Sequence, residues 1–104
     1  LGIVNLVESD ELNEYAQKHA NWMARNQSMT HSRLLVKFQF IGENIASGQI
    51  TDASVFEAWM TSPGHKKNIL NKNYAFIGCG NATTNEGVLY WCVIFGGQST
   101  SKML

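Results

Sequence analysis

The sequence predicts an α+β fold, and three observations carry that prediction. An apolar stripe at helical spacing follows Ser9, a second short helical pattern starts near Asp52, and two β-like runs close the chain at 74–82 and 88–95. Helices come first and paired strands last, whereas a parallel α/β sheet would alternate them. A length of 104 residues suits one domain with one core, spanning 1–104.

Ser9 reads as the N-cap of the first helix, with Asp10 and Glu11 placed to favour the positive end of its dipole. Leu12, Ala16, His19, Ala20 and Met23 recur on one face as far as about Asn26. Glu14, Lys18, Asn21 and Arg25 fall on the other face, and Glu14 and Lys18 stand four apart in the favourable order. Residues 27–41 lack a clear period and end in FQFI, which Gly42 is expected to break. SGQ (47–49) and Thr51 form a loop into a second helix, from Asp52 as N-cap to Met60. Its apolar face is Val55, Phe56, Trp59 and Met60. Ser62-Pro63-Gly64 ends it, because the residue before proline avoids the helical region. HKKNIL then fits a short helical turn, and 71–73 a break.

The closing runs YAFIGCGNA (74–82) and VLYWCVIF (88–95) flank TTNEG (83–87), a set of turn formers that predicts a hairpin ending at Gly96-Gly97. A turn centred between Asn85 and Glu86 sets Cys79 directly opposite Cys92. Opposed Cβ atoms lie about 4.5–5.5 Å apart, near disulfide reach. The expectation is a Cys79–Cys92 disulfide, which would imply an oxidising compartment; two free thiols are the alternative. The tail QSTSKML reads as a frayed end.

Composition narrows the function classes. Charged residues are 15% of the chain and the formal net charge is zero. Nucleic acid demands a basic stripe, and only Lys66 and Lys67 are adjacent basic residues. No apolar run approaches the length of about 20 residues that spans a bilayer. The opening LGIVNLVESD has neither the basic start nor the cleavage site of a signal peptide, which leaves the compartment open.

Three histidines differ in setting. His19 lies on the apolar stripe and reads as a core-facing, hydrogen-bonded residue. His31 (in MTHS) and His65 (in SPGH) follow helices, at element ends where sites are built. Glu43 stands in an apolar neighbourhood, FQFIGENIA, so it either points outward or is buried with partners. Two imidazoles and a carboxylate can hold zinc with an open fourth position, or act as acid, base and orienting group. Trp22, Trp59 and Trp91 read as packing residues, as do Met23, Met29 and Met60. Asn68 reads as a local backbone ligand that fixes the turn bearing His65. Ser62 beside His65 has no acidic orienter and no G-x-S-x-G elbow, which argues against serine hydrolysis.

The segments MTHS (29–32), GENIA (42–46), AWMTSPGHKKNIL (58–70) and the closing YAFIGCG and YWCVIFGG resemble the CAP superfamily of cysteine-rich secretory, antigen 5 and pathogenesis-related proteins, in its bacterial form. The match runs from about Leu12 to Gly97. The resemblance implies a three-layer α-β-α sandwich with a mostly antiparallel central sheet. It also implies a cleft formed by His31, Glu43, Ser62 and His65, with His31, His65 and Glu43 as ligands for zinc or another divalent cation. Many relatives carry a second glutamate where this chain has Ser62. Glu57, the nearest substitute, falls about 130° from the helix's apolar face and should point to solvent. A weaker metal site is expected.

The family's usual first helix is apparently absent, and GIVNLVESDEL looks like the link into its second. The face it leaves is expected to associate with another chain. The resemblance implies an extracellular, secreted binding module whose partner is a protein, a lipid or sterol, or a cell-wall ligand. The competing reading is a divalent-metal hydrolase or protease with Glu43 as general base.

Overall fold

A computed structural model describes residues 6–33 and 38–97. Helix α1 spans Asp10–Asn26, and Ser9 caps it by accepting the Leu12 amide on its side chain at 3.2 Å. Gln27 closes it in the left-handed region at φ 50°. The stripe read from sequence faces inward: Leu12, Ala16, Ala20 and Met23 are fully buried. Glu14 and Lys18 pair at 3.4 Å on the solvent side, where such a pair adds little.

Strand β1 (Val7–Glu8) precedes α1. Strand β2 (Phe40–Ser47) follows it, then α2 (Asp52–Met60), α3 (Pro63–Leu70), β3 (Phe76–Thr83) and β4 (Leu89–Gly97). The sheet order is β1-β3-β4-β2, with β1 parallel to β3 and the other pairings antiparallel. The sheet is therefore mixed, within the α+β sandwich that the sequence predicts.

Parity along β4 builds the two outer layers. Tyr90, Cys92 and Ile94 face α1 together with Ile45 of β2. Trp91, Val93 and Phe95 face the other way, against Val55 and Trp59 of α2 and Ile69 of α3. Burying side chains of this size contributes about 1.5–3 kcal/mol each. Helix α1 rides close on β3 because Gly78 and Gly80 carry no side chain. A Cβ on Gly78 would lie 2.1 Å from the Leu12 carbonyl carbon, and one on Gly80 2.5 Å from the Gln17 Cα. At that distance Asn13 accepts the Cys79 amide at 2.9 Å. Gln17 meanwhile donates to the Asn81 carbonyl at 2.6 Å and accepts its amide at 3.3 Å. Two side-chain amides of the helix thus satisfy the outer edge of β3 beyond its short pairing with β1.

Several expectations change. β2 runs straight through Gly42. Thr51, not Asp52, caps α2, in a reciprocal box with Ser54. HKKNIL belongs to an eight-residue helix that Pro63 opens. Met29 is half exposed rather than core. The hairpin register is shifted by one: Cys79 opposes Val93, and Cys92 opposes Gly80. That single step puts the two cysteines on opposite faces of the sheet. Both are free, Cys79 exposed and Cys92 buried. The expected disulfide does not form, and the cysteines give no argument about compartment. The opening residues 1–5, where the family's first helix would end, and the tail 98–104 lie outside the described residues.

Candidate functional site

β2 brings the site together by alternation. Glu43 faces the α1 layer and Asn44 the α2/α3 layer, since successive strand residues point to opposite faces. The Glu43 side chain is 7% exposed, which would be costly without partners. It has four. His31 Nδ1 donates to Oε1 at 2.7 Å, and the Ser32 amide donates to the same oxygen at 2.9 Å. The Ser32 hydroxyl donates to Oε2, which also takes the Cys92 thiol at 3.6 Å. A carboxylate has about four acceptor positions, so the protein itself fills them.

Burial alone would push the Glu43 carboxyl up. The Ser32 hydroxyl and amide, His31 and the nearby charge of His19 outweigh it and hold the group below its ordinary value. Glu43 is thus an ionised group at neutral pH. A carboxylate only accepts, so the proton of this bond sits on His31 Nδ1, and Nε2 is the ring's free position. Burial and the adjacent Glu43 carboxylate push the Cys92 thiol well above the usual thiol range. It stays protonated and donates.

The His31 side chain is 64% exposed. It borders a cleft of about 270 Å³ shared with Ser32, Ile41, Gly42 and Glu43. On the opposite face Asn44 is fully buried. Its Nδ2 donates to the His65 carbonyl at 3.1 Å, and its Oδ1 accepts Asn68 Nδ2 at 2.9 Å. The same Asn68 amide reaches the Glu43 carbonyl at 3.4 Å. Asn68 therefore pins α3 to β2 across the fold instead of binding its own turn. Ser62 makes no side-chain cap for α3; its hydroxyl shares a 2.9 Å hydrogen bond with His65 Nδ1.

The sequence-predicted cleft thus divides into two pairs, His31 with Glu43 and Ser62 with His65. Among the described residues no group of three or more His, Cys, Asp or Glu is gathered in a way that could hold a metal ion. The donor set does not fit the expected three-ligand site, because Glu43 has spent its oxygens on Ser32, Cys92 and His31. Glu57 is exposed, as the helical angle implied. His19 is half-buried, its ring nitrogen bonded to the Thr30 carbonyl.

The sequence profile of the cysteine-rich secretory protein family, CAP, matches residues 1–95. The chain belongs to the CAP family. CAP-type structures share its architecture. An outer surface protein from Borrelia burgdorferi superposes with a TM-score of 0.80 at 26% identity, covering 93% of this chain and 80% of that one. An extracellular protein containing an SCP domain from Bacillus anthracis str. Ames gives 0.76 at 24% identity, over 89% of this chain and 34% of that one. In sequence, the uncharacterized protein YkwD of Bacillus subtilis (strain 168) is 53% identical over 45 residues, 43% of this chain. That stretch is 18% of YkwD, so this CAP chain matches a small part of its curated relative.

Ser32, Cys92 and Asn44 are the contributors that sequence reasoning missed. Ser32 carried a signal: a hydroxyl and amide directly after His31, in the segment that leaves α1, are natural partners for a buried carboxylate. Cys92 and Asn44 carried none until the strand register was known.

Proposed function

We propose that this chain is an extracellular CAP binding module whose ligand lies along the exposed imidazole of His31. The observation that carries this reading is the saturation of Glu43. With its acceptor positions filled by the protein's own donors, Glu43 holds His31 in one tautomer and one orientation, as carboxylates commonly do for functional imidazoles. His31 Nε2 is then the group offered to a ligand. The cleft beside it is small, and nearly all of its wall is the short 31–32 and 41–43 segments. That suits a protein or cell-wall group, or the edge of a lipid, rather than a large enclosed substrate. An outer surface protein and an extracellular protein among the structural relatives support placement outside the cell. No helix among the described residues is long and apolar enough to cross a membrane.

The competing reading is a divalent-metal hydrolase. It draws support from one feature: both His31 and His65 have Nδ1 engaged and Nε2 free. It requires those two atoms to converge on one ion. Elemental analysis of the purified protein, followed by calorimetric titration with zinc, decides between them. The binding-module reading expects no stoichiometric metal and no saturable uptake at micromolar zinc. Tight one-to-one uptake, lost in both His31→Ala and His65→Ala, would overturn it.

A further inference from the structure

His31 and Ser32 also border a larger neighbouring groove of about 530 Å³, between α1 and the segment at 30–33. Its principal walls are Tyr15, Lys18, His19, Trp22 and Arg33, with His31 at one end. The volume lies in the range of small-molecule sites. The groove has a flat face. The rings of His19 and Trp22 stack at 5.7 Å between centroids and 10° between planes, and Trp22 remains 38% exposed. That face is held in place: the His19 ring bonds the Thr30 carbonyl, and the Thr30 hydroxyl is 2.6 Å from that of Ser28. A carbonyl only accepts, so the bonded His19 nitrogen carries the proton.

The charge is one-sided. Among the described residues Lys18 and Arg33 line the groove and no Asp or Glu does, in a chain whose net charge is zero. Glu14 pairs with Lys18 at 3.4 Å, with both side chains about 70% exposed, where such a pair is weak, and Glu14 does not itself line the groove. Glu43 lies behind His31 with its oxygens already occupied.

We propose that this groove is a binding site for a small planar aromatic anion, its ring on Trp22 and its acid group between Lys18 and Arg33. An aromatic face rewards an offset-stacked ring, and a guanidinium is the cation best shaped for a planar acid group. The groove shares His31 and Ser32 with the smaller cleft, but the groups that would hold this ligand are Trp22, Lys18 and Arg33, none of which lines that cleft, so the variants below test it apart from the reading of His31.

The test uses anilinonaphthalene sulfonate as the probe, followed by its fluorescence, with N-phenylnaphthylamine as the uncharged analogue. The sulfonate is expected to saturate one site per chain and to weaken as salt is raised. The neutral compound should bind about tenfold more weakly. Trp22→Ala should weaken the sulfonate about tenfold and Arg33→Gln about fivefold. Ile50→Ser, which removes an 80% exposed apolar side chain that does not line the groove, should leave the affinity unchanged. Both groove positions are at the surface, and the thermal transition of each variant checks that the fold persists. If Trp22→Ala fails that check, Arg33→Gln and the neutral analogue carry the test. Equal affinity for the two compounds, full affinity in a folded Trp22→Ala or in Arg33→Gln, or an equal loss in Ile50→Ser would overturn the proposal.

Discussion

Glu43 and Asn44 are consecutive residues of one strand, and they solve the problem of a buried polar side chain in different ways. Glu43 is ionised and is surrounded by donors from a single short segment and one thiol. Asn44 is neutral, fully buried and shared between two positions of a helix. The first arrangement fixes a loop and presents an imidazole. The second fixes a helix and presents nothing. Function is therefore expected to follow Glu43, while Asn44 serves the architecture that keeps α3 against the sheet.

The largest expected effect comes from Glu43→Gln. It removes the charge that the donors surround and turns an NH₂ group toward donors that need an acceptor. Hydrogen bonds to charged groups contribute about 1.5–3 kcal/mol, and the loss should be about 3 kcal/mol in all. In a domain of this size that lowers Tm by at least about 12 °C. The pH dependence has a definite sign. The folded carboxyl lies below its ordinary value near 4.5, so its stabilisation is complete above that pH and is lost as pH falls through the folded value. Wild type should lose stability more steeply than Glu43→Gln below about pH 4.5. Parallel pH–stability curves for the two proteins would remove Glu43 from its place in this comparison.

Asn44→Leu is the matching change on the other face. It deletes the bond to the His65 carbonyl and leaves the Asn68 amide with only its long 3.4 Å bond to the Glu43 carbonyl, at a cost of about 2 kcal/mol. No titrating group is lost, so the deficit should be constant with pH in thermal melts. A deficit that grows or shrinks with pH would mean that the two faces are not independent.

The unequal legibility of the two faces has a physical cause. The start of α1 at Ser9 and its buried stripe could be read because a helix with one wet face leaves a 3.6-residue period. His31 and Glu43 could be read as chemistry because their residue types stand out in apolar or turn-like surroundings, and the motifs around them resemble those of the CAP family. The register of β4 could not be read. Residues 90–97 are buried on both faces, so VLYWCVIF shows no alternation to fix parity. A turn guess wrong by one residue then moved Cys92 from beside Cys79 to beside Glu43. The same step hid the fourth donor of the site and suggested a disulfide. Ser62 shows a further limit: it stands at the N-cap position of α3, yet its hydroxyl goes to His65, a choice that local spacing alone does not decide.

The smallest expected effect is the sharpest test of that register. Cys92→Val keeps the shape of a buried side chain and removes only a weak S–H donor, so it should cost less than about 1 kcal/mol. If Cys92 were half of a disulfide, the same change would cost about 3 kcal/mol, the usual worth of a short closed loop. Thiol counting separates the cases without a variant. Iodoacetamide should modify Cys79 alone in the native protein and both cysteines after denaturation without reductant, because Cys79 is exposed and Cys92 is enclosed by α1 and Glu43. Protection of both thiols until reductant is added would restore the pairing of Cys79 with Cys92. It would also take from Glu43 the donor that completes its shell.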